Sequence, residues 1–123
     1  MNYYMTKCEL EIMTVLWNAG MPLSRSGILE RSVEKSWKDN SIHILLNGML
    51  KKGLIEGEGF VRSGKVWARL YSPMITVEDY YLDQFEVSIT PNLAIILNTL
   101  VEKNAIGKDI LKEMKDILEK HCK

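Results

Sequence analysis

Asn40, Ser41, His43, Ile44, Asn47 and Lys51 recur on one side of the segment SIHILLNGMLKK and the residue before it. Together they offer the chemistry of recognition. Amide and imidazole groups hydrogen-bond base edges, a hydroxyl or an ammonium meets phosphate oxygen, and an aliphatic side chain contacts a thymine methyl. Further along, Arg62 and Lys65 flank Gly64 in the turn RSGK, where cations suit phosphate contacts. Lys35, Lys38, Lys51 and Lys52 add charge around the same region. Reaction chemistry has no comparable support. His43 and His121 are the only histidines, neither has a triad neighbourhood, and no glycine-rich phosphate loop is present. Cys8 and Cys122 stand at opposite ends without CxxC or zinc spacing. The expectation is therefore two reduced thiols, no metal, no cofactor and no enzyme.

Sixteen basic and sixteen acidic side chains cancel, so any phosphate-binding face must come from the distribution of charge rather than its sum. Acidic residues gather late in the chain, at Glu78, Asp79, Asp83 and Glu86, which leaves room for a basic face earlier. No apolar run is long enough for a membrane span, and the start MNYYMTKCELE lacks a signal-peptide pattern; a cytoplasmic protein without a membrane partner is expected.

The elements that must position these residues follow from periodicity and capping. A first helix opens after Thr6, buries Leu10, Met13, Leu16 and Trp17, and stops at Gly20. After the turn MPL, Ser24 caps a shorter helix holding Ile28, Leu29 and Val33. Asp39 caps a third, in which Ile42, Leu45, Leu46, Met49 and Leu50 form the inner stripe; Gly53 ends it. On the outer side Asn47 is joined by Gly48. LIEGEGFV and VWARLYS alternate as strands around RSGK, with Trp67 expected to pack between this hairpin and later helices. Three short helices and a basic-tipped hairpin make a winged helix-turn-helix, with the third helix free to lie in a groove.

Beyond it, Thr76 and Asp79 form a capping box before a helix with Leu82 and Phe85. Thr90-Pro91 opens another, carrying Leu93, Ile96, Leu97 and Leu100, and a last helix from about Gly107 shows Ile110, Leu111, Met114, Ile117 and Leu118. Three such helices are too few to cover their own apolar faces, so a second copy of the chain is expected to do so. The expected class is mostly α with a small β-hairpin: residues 1–74 as the winged-helix DNA-binding domain and 75–123 as a helical dimerisation region.

ELEIMTVLWNAG, SWKDNSIHILLNGMLKKGLI and RLYSP together resemble the penicillinase-repressor (BlaI/MecI/CopY) family of bacterial transcriptional regulators. The resemblance implies a homodimeric repressor that binds a palindromic double-stranded operator through its winged helix. In β-lactam-responsive members repression ends by cleavage in the C-terminal region, which adds a sensor protease as a candidate partner. Carried across, Ser41 stands where Thr is usual, Ile44 where Thr is frequent, Gly48 where Arg is usual, and Thr99-Leu100 at the position of the cleaved Asn-Phe bond. The hairpin is longer than the family pattern. The alternative reading is a winged-helix protein-interaction module with weak or lost DNA binding, which neutral charge, Ile44 and Gly48 favour.

Overall fold

The computed structural model describes residues 3–87 and 91–122. They divide into two compact units, Met1–Val87 and Ser88–Lys123. In the first, helices α1 (Lys7–Ala19), α2 (Arg25–Arg31) and α3 (Ile42–Lys52) are followed by strands β1 (Ile55–Ser63) and β2 (Val66–Pro73) and helix α4 (Val77–Val87). The second holds α5 (Leu93–Glu102) and α6 (Lys108–His121).

α1 starts at a reciprocal capping box: the Glu9 amide donates to Thr6 Oγ1 at 3.2 Å, and the Thr6 amide donates to Glu9 Oε1 at 2.9 Å. Its buried face is Glu9, Ile12, Met13 and Leu16, one step around from the expected stripe; Leu10 and Trp17 are only half-buried. Trp17 instead bridges outward, donating from Nε1 to the Ile75 carbonyl at 3.0 Å and meeting the Tyr80 ring with centroids 5.8 Å apart.

α2 is capped by Ser24 as expected, but it ends at Arg31. Ser32 closes it, with its amide donating to the Leu29 carbonyl and its hydroxyl to that of Ile28. Val33 therefore leaves the helix and is 87% exposed rather than part of its apolar face. The following connection is pinned to α1, because Glu11 accepts from both the amide and the hydroxyl of Ser36, at 2.8 and 2.6 Å.

Asp39 opens a 3-10 turn through Ser41 rather than capping α3 directly, and its carboxylate pairs with Lys35 at 2.7 Å. α3 buries Ile42, Leu46 and Met49, with Leu45 and Leu50 half-buried beside them. At its end Gly53 adopts φ 75°, the Leu54 amide bonds the Met49 carbonyl, and the Gly53 amide bonds that of Leu50. This Schellman ending needs a residue tolerant of the left-handed region, and it turns Leu54 into the core. The core gathers Ile12, Met13 and Leu16 from α1, Ile28 from α2, Ile42, Leu46 and Met49 from α3, and Leu54 and Ile55 just beyond.

β1 and β2 pair antiparallel from Ile55↔Pro73 to Ser63↔Val66, leaving Gly64-Lys65 as the turn. Gly64 has φ 65° at the first central position, the place a type II′ hairpin turn reserves for glycine. Between Gly57↔Tyr71 and Phe60↔Arg69 one extra residue on β1 makes a bulge. Leu23, expected only as part of a turn, adds a bridge on the other side of β2, exchanging both backbone bonds with Tyr71 at 3.0 and 2.8 Å.

α4 falls within the first compact unit, Met1–Val87. The Thr76–Asp79 capping box forms, Tyr80 packs against the core, and Asp83 is buried, accepting from the Tyr3 amide at 2.7 Å. Asp83 is thus a structural acceptor and not a surface charge. Thr90 lies outside the described residues. α5 opens later than expected, at Leu93, with the Asn92 side chain accepting from the Ile95 amide at 3.2 Å, so Pro91 precedes the helix.

Candidate nucleic-acid interface

The inner face of α3 is consumed by the core, and what remains outside is an open strip. Asn40, His43, Ile44, Asn47 and Lys51 are exposed, Ile44 at 76%. Ser41 is half-buried at the helix start and makes no side-chain capping bond, which leaves its hydroxyl available to a ligand. The expected outer set is brought together with one exception. Gly48 is half-buried on the shoulder facing α1, and a Cβ built there meets only Glu9 Oε2, at 3.9 Å. That is ordinary contact distance, and φ at this position is not positive. Gly48→Ala is therefore expected to raise the stability of the first unit by about 0.5–1 kcal/mol through helix propensity. A urea midpoint that moves down would show that the shoulder is tighter than its geometry.

Arg25 joins this surface and was missed in the sequence. Its Nη1 donates to His43 Nδ1 at 2.6 Å and also lies against Nε2 of the same ring. The signal was present: Arg25 directly follows the Ser24 cap, at the start of the helix that precedes the recognition helix in this motif.

Two of the nearby cations are already committed. Lys52 Nζ lies 2.7 Å from Glu9 Oε1 and sits over the Tyr4 ring, 5.4 Å from its centroid. Lys35, paired to Asp39, lies over Trp37 at 5.4 Å. The free positive charge on this side therefore rests on Arg25, Lys38 and Lys51, none of which has an ion pair among the described residues.

Burial pushes the Glu9 carboxyl up, but the Lys52 ammonium and the Thr6 amide and hydroxyl outweigh it and hold it below its ordinary 4.5. A carboxyl lowered in the folded state contributes stability above its unfolded pKa and loses it as pH falls through the folded value. Glu9→Gln is expected to cost about 1–3 kcal/mol at pH 7. The gap from the unsubstituted protein should close on acidification below 4.5. Urea titrations across that range check both the size and the sign.

In the hairpin, Arg62 and Lys65 are exposed at and beside the turn. Arg62 Nε donates to the Gly64 carbonyl at 3.2 Å, and its guanidinium lies over Trp67, 5.7 Å from the ring centroid. Trp67 is 63% exposed, and its cross-strand neighbour is Arg62.

In the second unit, α5 and α6 carry the expected apolar residues, most of them exposed: Leu93, Ile96, Leu100, Ile110, Ile117 and Leu118. Leu97, Leu111 and Met114 are half-buried. Leu93, Leu97, Ile106, Met114 and Ile117 help line an almost wholly apolar cavity of about 550 Å³. On α4, Leu82 and Phe85 are exposed.

Helices α1 to α3 around one core, a hairpin springing from the end of α3, and a helical unit beyond define a winged helix-turn-helix protein with a helical C-terminal region. The bare outer strip of α3 is the candidate site of that class. The chain belongs to the penicillinase repressor family, whose model matches residues 5–120. It is a member of a transcriptional repressor family. The penicillinase repressor of Bacillus licheniformis is 30% identical over 120 residues, covering 92% of this chain and 88% of the relative. The methicillin resistance regulatory protein MecI of Staphylococcus aureus (strain N315) is 24% identical over 123 residues, covering 96% and 95%, and MecI of Staphylococcus epidermidis matches to the same extent. Among the described residues no helix is long and apolar enough to cross a membrane.

Proposed function

We propose that this protein is a dimeric repressor that binds a palindromic operator in the cytoplasm. In this reading α3 enters the major groove, the hairpin wing contacts neighbouring backbone, and α5 and α6 pair with those of a second copy, aided by Leu82 and Phe85. The observation that carries it is the division of α3 into a sealed inner face and an open outer one. Ile42, Leu46 and Met49 are buried, while Asn40, His43, Ile44, Asn47 and Lys51 stand clear with hydrogen-bonding groups and one thymine-sized apolar contact. Arg25 and Ser41 extend the strip, and Arg62 and Lys65 supply the wing.

Binding to DNA from upstream of its own gene, followed across a salt series, tests this reading. A specific footprint with affinity falling steeply as salt rises is expected. Asn47→Ala should then cost about 1–3 kcal/mol at one base position of each half-site, and an unchanged footprint would remove Asn47 from the readout.

The alternative, an interaction module that has lost DNA, draws on the pairing of Lys52 with Glu9 and of Lys35 with Asp39, which leaves the face only modestly cationic. A flat salt response at micromolar concentrations would favour it. A sensor protease as partner rests on the resemblance alone. Thr99-Leu100 lies within α5, and Thr99 Oγ1 donates to the Ile95 carbonyl at 2.9 Å, so cleavage there requires that helix to unwind.

A further inference from the structure

Between the end of α1, the base of the hairpin and the start of α4 lies an open groove of about 540 Å³ that the operator reading does not use. Its floor is apolar. Trp17, Pro22, Pro73 and Ile75 line it together with Met21 and Met74, which stand 52% and 56% exposed. The Trp17 ring is fixed in place, since its Nε1 donates to the Ile75 carbonyl at 3.0 Å and Tyr80 packs beside it. Two exposed thioethers beside an indole make a soft, polarisable surface that adapts to the shape of an apolar ligand.

The rim carries charge of one sign. Glu56, Glu58 and Glu78 line the groove and no lysine or arginine does, although the chain as a whole is neutral. None of the three has an ion pair among the described residues. Glu78 has a local reason for its place, in the first turn of α4, where the helix end favours an anion. Glu56 and Glu58 have no such reason. Glu56 meets Ser72 across the hairpin rather than a cation, and Arg69 reaches over Gly57, on the opposite side of the strand. Carboxylates without partners above an aromatic and apolar floor complement a ligand that joins a positive charge to an apolar body. Coulomb attraction, cation–π contact and burial then act together. The volume is that of a small-molecule site.

We propose that this groove binds a lipophilic organic cation, an ammonium or guanidinium-like charge carrying aromatic or branched alkyl groups. Glu56 and Glu58 face the charge, and Trp17, Met21 and Met74 receive the apolar body. The site does not depend on the reading of α3. Tetraphenylphosphonium and tetraphenylborate, alike in size and shape but opposite in charge, test it on the full chain with isotopically labelled methionine methyls. The cation is expected to bind in the micromolar range by calorimetry and to shift the Met21 and Met74 signals, while those of Met13 and Met49, buried in the core, stay fixed. The borate should leave all four in place. Glu56→Gln combined with Glu58→Gln, both at exposed positions, should weaken cation binding about tenfold or more with an unchanged urea midpoint. Equal binding of the two ions, full affinity in the double variant, or unmoved Met21 and Met74 signals at millimolar cation would overturn the site. A shift at Met114 instead would put the probe in the apolar cavity of the second unit and reject the groove. A double variant whose sedimentation changes without any ligand would give the groove to a second copy and reject it equally.

Discussion

Ile117→Asp is expected to turn the proposed dimer into a monomer, and to weaken operator binding by at least a hundredfold. Ile117 is exposed on α6, beside the apolar cavity that Leu93, Leu97 and Met114 help to line. A carboxylate there would be buried without a partner in each subunit of a dimer, a change that typically costs several kcal/mol. Loss of pairing also removes the second half-site from every binding event. Sedimentation velocity and a DNA titration read the two consequences separately. The contrast is Lys115→Ala, which breaks an exposed pair with Glu119 at 3.9 Å on the same helix and should leave both readouts nearly unchanged. A dimeric Ile117→Asp protein would move the interface off α6.

The second large effect lies on α3, where two aliphatic residues two positions apart should behave as opposites. Leu46 is buried in the core between α1 and α3, and Leu46→Ala is expected to cost about 2–5 kcal/mol. For a unit of this size that is a large fraction of total stability, so urea unfolding should shift strongly and DNA binding should fail with it. Ile44→Ala removes comparable apolar surface from the exposed side and should leave the urea midpoint nearly fixed while lowering affinity for one base pair of the operator. If both variants shifted stability alike, the division of α3 into two faces would be wrong.

Most of the local architecture could be read from the chain because its causes are local. Thr6 and Glu9 sit three residues apart and close their own capping box, and Gly53 follows two lysines at the end of an apolar stripe. What escaped depends on residues distant in sequence. The Lys52–Glu9 pair spans 43 positions and converts an expected groove cation into a clasp between α3 and α1. The Tyr3 amide reaches Asp83 across 80, tying α4 to the start of the chain within the first unit. Leu23 gains strand character only by meeting Tyr71. Periodicity alone also overran the end of α2, because Val33 continues an apolar pattern that Ser32 has already ended. Within the candidate site, the side of α3 was legible from spacing, whereas the recruitment of Arg25 to His43 needed the crossing of two helices.

The bulge between Gly57 and Phe60 limits how the wing can vary among members of this family. Distal to it, each added or deleted residue on a single strand exchanges the two sides of the hairpin, sending Arg62 and Phe60 to the side now held by Val61 and Ser63. Lengthening by whole cross-strand pairs in multiples of two preserves the face of everything already present, whereas a lone insertion needs a second bulge to absorb it. The wing is thus a module whose evolutionary growth comes in discrete steps, and comparison among relatives should find its lengths clustered rather than continuous.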